Sequence, residues 1–329
     1  MSEMRWDPVR QEWVIMSKYR MDRTFLPPKE YCPLCPTQNS NIPTEISRND
    51  FEIVVFENRF PSFSMSPASP AVEGTPIYQV EPGVGNCEVV VYTPEHQGSL
   101  ATLSKEKVIN LIRVWGDRYE HLGEKEEIKY ILIFENRGEE VGVTLHHPHG
   151  QIYAFPYIPP IPSQELSSAQ EYRDKNNSCL FCDMLKTEEN DGSRVVTSNN
   201  SFIAFVPFYA RYPFEVHIYS REHKVSINSF SNTEITDLAH ILQKTVKAYD
   251  ALFNQTFPYI MVIHQDPPGS LLRLGHLHFE FYTPLRDKGK LKYLAGCEQG
   301  GGSFINDSLP EEKAKQLREV LAGDIKSGD

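Results

Sequence analysis

No apolar run in the chain approaches the roughly 20 residues that a membrane-spanning helix needs. The first residues, Met1 to Asp7, hold no apolar h-region, so no secretory signal is expected and the cytoplasm is the expected compartment. Basic residues are in the minority, 33 against 44 acidic ones, for a net charge of −11. There is no basic stripe with interleaved aromatics, so nucleic acid is not an expected partner. Cysteine is scarce too: there are six, and four of them form the pairs Cys32/Cys35 and Cys179/Cys182. In a reducing compartment such Cys-x-x-Cys pairs read as metal ligands or redox dithiols, not as a disulfide framework. What is present is ordinary for a soluble protein, 40% apolar and 23% charged residues, and 329 residues suffice for one large domain or two average ones.

One stretch stands out, His146-His147-Pro148-His149-Gly150-Gln151. In an extended strand alternate residues share a face, so His147, His149 and Gln151 would point the same way. Before it lies a polar loop, 136–145, punctuated by Gly138 and Gly142, and before that a strand-like run, 129–134. Glycines let such a loop turn its amides toward an anion. Strand, loop and histidine-rich strand together suit chemistry on a phosphate.

Further strands are expected at Glu12–Ser17, Phe51–Phe56 and Cys87–Tyr92. A helix is expected from Ser104, its cap, to Leu122, with Val108, Leu111, Ile112, Trp115 and Tyr119 as its apolar stripe and Gly123 as its end. After the proline-rich stretch 156–162 the pattern begins again. Cys179/Cys182 repeats Cys32/Cys35, 201–206 repeats 51–56, and 214–223, ending in His223, repeats 86–96, ending in His96. A second helix, 233–253, is followed by the run 259–263, which repeats 130–134, and by His276-x-His278-x-Glu280, which repeats His147-x-His149-x-Gln151. The spacing is 147 residues for both cysteines, 127 for His96 and His223, and 129 for both histidine pairs. This is an internal duplication, with repeats 1–160 and 161–329 and the seam at 156–162. Beyond residue 284 the chain leaves the repeat and ends in a helix from Pro310, a residue suited to a first helical turn.

Cys32, Cys35, His96 and His147 have the residue types and order of a tetrahedral zinc site, and Cys179, Cys182, His223 and His276 repeat them as a second. His149 is the expected nucleophile, because a neutral imidazole can attack phosphorus directly. Gln151 is a neutral donor for a phosphate oxygen. His278 has Glu280 where His149 has Gln151, and a carboxylate there repels phosphate, so no second nucleophile is expected. Gly300–Gly302 reads as a turn rather than a phosphate loop.

His147-Pro-His149-Gly-Gln151, preceded by Asn136-Arg-Gly138 and Gly142-x-Thr144, resembles the galactose-1-phosphate uridylyltransferase family of the histidine triad superfamily. The likeness covers nearly the whole chain, including Trp13 to Ser17, Arg20, Arg23, Asn58, His96, Glu165, His264, His276, His278 and the segment 292–298. It implies an α+β fold in which two histidine-triad-like repeats share one continuous antiparallel sheet flanked by helices. It also implies a double displacement: His149 takes UMP from UDP-glucose, releasing glucose 1-phosphate, and passes it to galactose 1-phosphate. Arg20, Arg23, Asn58, Asn136, Gly142, Thr144 and Gln151 would hold the uridylyl group. Lys292, Tyr293, Ala295, Cys297 and Glu298 would face the hexose from the other subunit of a homodimer. Some members build an iron site from residues matching Glu165, His264, His276 and His278, and His276 cannot fully serve that site and a zinc site together; zinc is the favoured second metal. The chain departs from the family at Thr144, usually Ser, and at Cys297, usually Tyr. The glutamine that usually follows the hexose segment is also missing, with Asn306 the nearest polar residue. Two other functions fit the same motifs: an ADP-glucose phosphorylase or adenylyltransferase of the superfamily, and a non-catalytic, zinc-stabilised nucleotide-binding protein.

Overall fold

A computed structural model describes residues 2–22, 25–38, 41, 43–48 and 50–326. Arg23 lies outside the described residues. The strands are β1 (Ser2–Asp7), β2 (Glu12–Ser17), β3 (Val54–Glu57), β4 (Val80–Pro82), β5 (Asn86–Val91), β6 (Tyr130–Arg137), β7 (His149–Phe155), β8 (Val195–Ser198), β9 (Phe202–Phe205), β10 (Val216–Ser220), β11 (Tyr259–His264), β12 (His278–Tyr282), β13 (Leu285–Asp287) and β14 (Lys290–Leu291). The α-helices are α1 (Lys105–Gly123), α2 (Pro160–Asn176), α3 (Leu180–Asp191), α4 (Asn232–Phe253), α5 (Gly296–Gly301) and α6 (Pro310–Lys326).

Nine strands form one antiparallel sheet in the order β3-β5-β7-β6-β11-β12-β10-β9-β8. From the β6–β11 seam the order β6-β7-β5-β3 runs outward in one direction, and β11-β12-β10-β9 runs outward in the other. The strand order is therefore symmetric about the β6–β11 pair, where Ile133 lies opposite Ile263. The α+β class and the continuous sheet are as expected.

Alternation along the strands divides the sheet into two faces. Ile152 and Ala154 of β7, Ile131 and Ile133 of β6, and Phe279 and Phe281 of β12 are fully buried with the stripes of α1 and α4 and with Leu317 of α6 in the main core. The opposite face carries His149, Gln151, His278 and Glu280, covered locally by Cys32, Leu34 and Ile46 and by α2 and α3. Ser104 caps α1 as expected, accepting from Lys107 N, but Gly123 is the last helical residue and Glu124 follows in a right-handed conformation.

Three differences from the sequence reading bear on the site. β3 starts at Val54, three residues late. The proline-rich seam is in part the first turn of α2, because Pro160 lacks only an N–H that a first turn leaves unpaired. The third concerns the twin segments 86–96 and 214–223, which differ by one residue. In register, Val91 lies opposite His149 whereas Tyr219 lies opposite His278. Tyr219 therefore belongs to the site face, and Tyr92, the residue it matches in sequence, turns to the helix core.

Candidate active site

Three clusters of metal-ligating groups and two adjoining cavities lie along the site face. In the first cluster, donor atoms of Cys32, Cys35, His96 and His147 all lie within 4.8 Å of one another. Cys35 Sγ is 3.3 Å from His96 Nδ1 and 3.5 Å from His147 Nδ1. His147 Nε2–H donates to Thr93 O at 2.7 Å, which leaves the Nδ1 lone pair for the cluster. Burial lowers His147 to about 4, which keeps the imidazole neutral as a ligand must be.

The second cluster repeats this pattern. Cys179, Cys182, His223 and His276 offer atoms within 4.8 Å. Cys182 Sγ is 3.5 Å from both His223 Nδ1 and His276 Nδ1. His276 Nε2–H donates to Ser220 O at 2.7 Å. The contact with Cys182, helped by the two imidazoles, draws Cys179 far below the usual thiol range, and the same contact pushes Cys182 up.

A third cluster was not read from the sequence in this form. Glu165, His264, His278 and Glu280 lie within 4.8 Å. The expected alternative set contained His276, but that residue is committed to the cysteines and Glu280 takes its place. His278 Nδ1–H donates to His276 O at 2.8 Å, so its Nε2 lone pair faces Glu280 Oε1 at 3.4 Å with no hydrogen bond among the described residues. The Nε2 lone pair and the carboxylate oxygen thus both point into the cluster, as ligands to one cation would. Burial opposes protonation of His264, yet Glu165 and Glu280 outweigh it and push the imidazole up to about 9. Glu280 was visible only as the carboxylate at the position of Gln151. Its place in a ligand set depends on the fold of β11 and α2.

His149 stands where the two cavities meet. One is a narrow slot of about 90 Å³ that also borders Arg20, Leu34, Phe56, Asn58, Thr144 and Gln151. The other is a cleft of about 970 Å³ bordered by Asn136, Gly138, Pro148, Arg137 and Asp250. The cleft is the roomier of the two, and His149 borders both. His149 Nδ1–H donates to His147 O at 2.7 Å, so the free lone pair is on Nε2. Burial lowers the half-buried imidazole below its ordinary value and keeps that pair available at neutral pH. Asn58 Nδ2 reaches Gln151 Oε1 at 3.5 Å, which turns the Gln151 amide nitrogen away from Asn58. Arg20 donates to Tyr153 Oη at 2.7 Å, holding its guanidinium beside the slot. Gly138 and Gly142 have φ of 96° and 80°, so the loop needs them to turn. Gly150 has another role: a Cβ there would lie 2.3 Å from Tyr92 Oη, so only glycine lets β7 pass over that ring.

The structure thus brings Arg20, Asn58, Thr144, Gln151 and Asn136 around His149, with Gly142 in the loop beside them. It does not bring Lys292, Tyr293, Ala295, Cys297 or Glu298 there, and none of them borders either cavity. Lys292 Nζ lies 3.4 Å from Glu298 Oε1, and Tyr293 is 75% exposed. Asn306 donates to Ala210 O and Tyr212 O, so it holds backbone and is no stand-in for a hexose ligand.

Residues 1–159 match the model of the galactose-1-phosphate uridyl transferase N-terminal domain, and residues 165–327 match that of the C-terminal domain. The chain belongs to this family. It is accordingly an enzyme of the uridylyltransferase class in galactose metabolism. A galactose-1-phosphate uridylyltransferase of Thermotoga maritima is 39% identical over 97% of this chain and 99% of the relative. One of Saccharomyces cerevisiae is 32% identical over 97% and 94%. A solved uridylyltransferase structure superposes with a TM-score of 0.88 at 34% identity, covering 98% and 99%. An ADP-glucose phosphorylase from Arabidopsis thaliana shares the fold, with a TM-score of 0.74 at 24% identity over 97% and 98%. No helix among the described residues is long and apolar enough to cross a membrane.

Proposed function

We propose that this uridylyltransferase moves UMP from UDP-glucose to galactose 1-phosphate through a covalent uridylyl group on His149. The observation that carries this is the fixed tautomer of His149: its Nδ1–H is held by His147 O, and its Nε2 lone pair remains beside both cavities. In the first step Nε2 attacks the α-phosphorus, and the bond to the bridging oxygen breaks. Glucose 1-phosphate leaves with that electron pair. In the second step a phosphate oxygen of galactose 1-phosphate attacks the same phosphorus, and the P–N bond breaks back to neutral imidazole. Neither step needs a net proton transfer, so Gln151 serves as a donor that stabilises phosphate charge without supplying a proton for hydrolysis. Arg20, Asn58, Asn136, Gly142 and Thr144 hold the uridylyl group; Arg23 belongs to the same expected set.

Uracil is favoured over adenine by the 39% and 32% identity to curated uridylyltransferases. Double-displacement kinetics test the proposal. With UDP-glucose and galactose 1-phosphate varied together, parallel reciprocal plots are expected, and exchange of labelled glucose 1-phosphate into UDP-glucose should proceed without the second sugar. Faster turnover of ADP-glucose than of UDP-glucose would favour the adenylyl alternative.

Repeat 1–160 would carry the nucleophile and the first metal, and repeat 161–329 the second metal and the hexose segment. Zinc fits both Cys/His clusters: each has two sulfurs at Cys-x-x-Cys spacing and two Nδ1 lone pairs, fixed in the first cluster by His147 and in the second by His276. Bound zinc would brace the knuckle and the start of β7, a structural role. The third cluster, with two carboxylates and two imidazoles, suits a harder ion such as iron. Tyr293, Ala295 and Cys297 are exposed, Lys292 and Glu298 are ion-paired beneath them, and none borders either cavity of its own chain, which supports a homodimer in which this segment faces the partner subunit's cleft.

A further inference from the structure

We infer that Glu45 reads the sugar hydroxyls of the nucleotide, and so makes the enzyme selective for ribonucleotides; this rests on the uridylyl-transfer reading. Glu45 borders the slot beside His149, and so does Arg59. Arg59 Nη1 donates to Glu45 Oε1 at 2.8 Å, and Glu45 Oε2 accepts no hydrogen bond among the described residues. The Glu45 side chain is 27% exposed, so it meets whatever enters the slot. Its backbone is anchored: Glu45 N donates to Pro33 O at 3.0 Å, and neighbouring Thr44 Oγ1 donates to Cys35 O at 2.7 Å. The carboxylate is thus carried on the Cys32/Cys35 knuckle, whose backbone bonds place it on the rim of the slot.

An ionised carboxylate is out of place in a site for two phosphates unless it faces a neutral part of the ligand. Arg59 balances its charge, and what remains is an acceptor with no donor of its own. The order of groups along the slot says which part of the ligand it meets. Gln151, Val89 and Phe56 are successive cross-strand neighbours, so an apolar row leads from the phosphate end toward the edge strand β3. With Leu34 and Leu145 it makes two walls for a flat base. Asn58 touches Gln151, and Arg59 follows about 3.8 Å along the chain. The pair therefore lies one unit beyond the α-phosphate, where the ribose stands. A vicinal diol offers two donors to one carboxylate, the pairing by which acidic residues hold ribose in dinucleotide sites.

The test is the binding of UMP, 2′-deoxy-UMP and 3′-deoxy-UMP to the metal-replete full chain by titration calorimetry, which needs no turnover. Wild type should bind UMP about tenfold or more tightly than either deoxy analogue, as expected for a hydrogen bond to a charged group. In Glu45→Ala that preference should collapse toward unity, with UMP weakened and the deoxy analogues nearly unchanged; Glu45→Gln, which keeps one acceptor oxygen, should fall between. The preference is a ratio within one preparation, so loss of folded protein cancels. An unchanged preference in both variants overturns the inference and leaves uridylyl transfer standing. Wild type that binds no uridine nucleotide overturns both.

Discussion

His149 and His278 occupy matching places in the two halves of the sheet, yet one is open and the other sealed. Each donates Nδ1–H to the carbonyl two residues before it, at 2.7 and 2.8 Å, so both keep a lone pair on Nε2. The surroundings differ. Val91 stands opposite His149 and leaves it half-buried between two cavities. Tyr219 stands opposite His278 and stacks on it, with ring centroids 4.5 Å apart and 2° between planes. The partner two residues on is neutral Gln151 in one half and the Glu280 carboxylate in the other. The twin's Nε2 thus faces an anion inside a buried network, where a phosphate cannot enter. A reactive imidazole requires an approach and a neutral neighbour as well as the right tautomer. One residue of extra length before His96 is enough to swap valine for tyrosine over the ring.

Exchanging or removing parts of the two halves should break the symmetry unequally. His149→Ala should lower uridylyl transfer by about 10⁴-fold or more while leaving the thermal midpoint near that of wild type. His278→Ala should do the reverse, costing about 2–4 kcal/mol of stability because Glu280 and Tyr219 lose a buried partner, with transfer kept within about tenfold. Equal loss of transfer in both would erase the distinction. Gln151→Glu, which installs the twin's carboxylate beside the nucleophile, should cost about 10²-fold in kcat/KM through repulsion of the phosphate. Gln151→His should have a smaller effect on rate but raise the ratio of hydrolysis to transfer, since an imidazole can donate a proton where an amide cannot; product analysis with and without galactose 1-phosphate reads it. The metals test where the halves remain alike. Cys35→Ser and Cys182→Ser should each remove about one zinc equivalent of the about two expected, measured by elemental analysis of metal-replete protein.

Much of this was legible in the sequence because it depends on spacing. The helix stripe at Val108, Leu111, Ile112, Trp115 and Tyr119, the paired Cys-x-x-Cys knuckles and the alternation of His149 and Gln151 are local and appear where expected, while His147 lies in a bend just before β7 rather than on the strand. The placing of Arg20 and Asn58 beside His149 was legible only through family likeness. What escaped depends on register and on contacts between distant segments. That Tyr219 covers His278 follows from strand pairing, which a sequence of 11 residues set against one of 10 leaves open by one step. Glu280 joins His264 and Glu165 only because β11, β12 and α2 meet, and Glu45 reaches Arg59 only through the knuckle's turn. The hexose segment was legible as a motif, but its distance from its own chain's cavities was not.

The central claim is that His149, and not His278, carries the uridylyl group. Wild-type protein incubated with UDP-glucose labelled at the α-phosphorus, then denatured and mapped by peptide, should hold an acid-labile, base-stable label on the peptide containing His149. Addition of galactose 1-phosphate should discharge it, and His149→Ala should take up none. Label on the His278 peptide, or transfer at full rate with no label on either, would contradict the account.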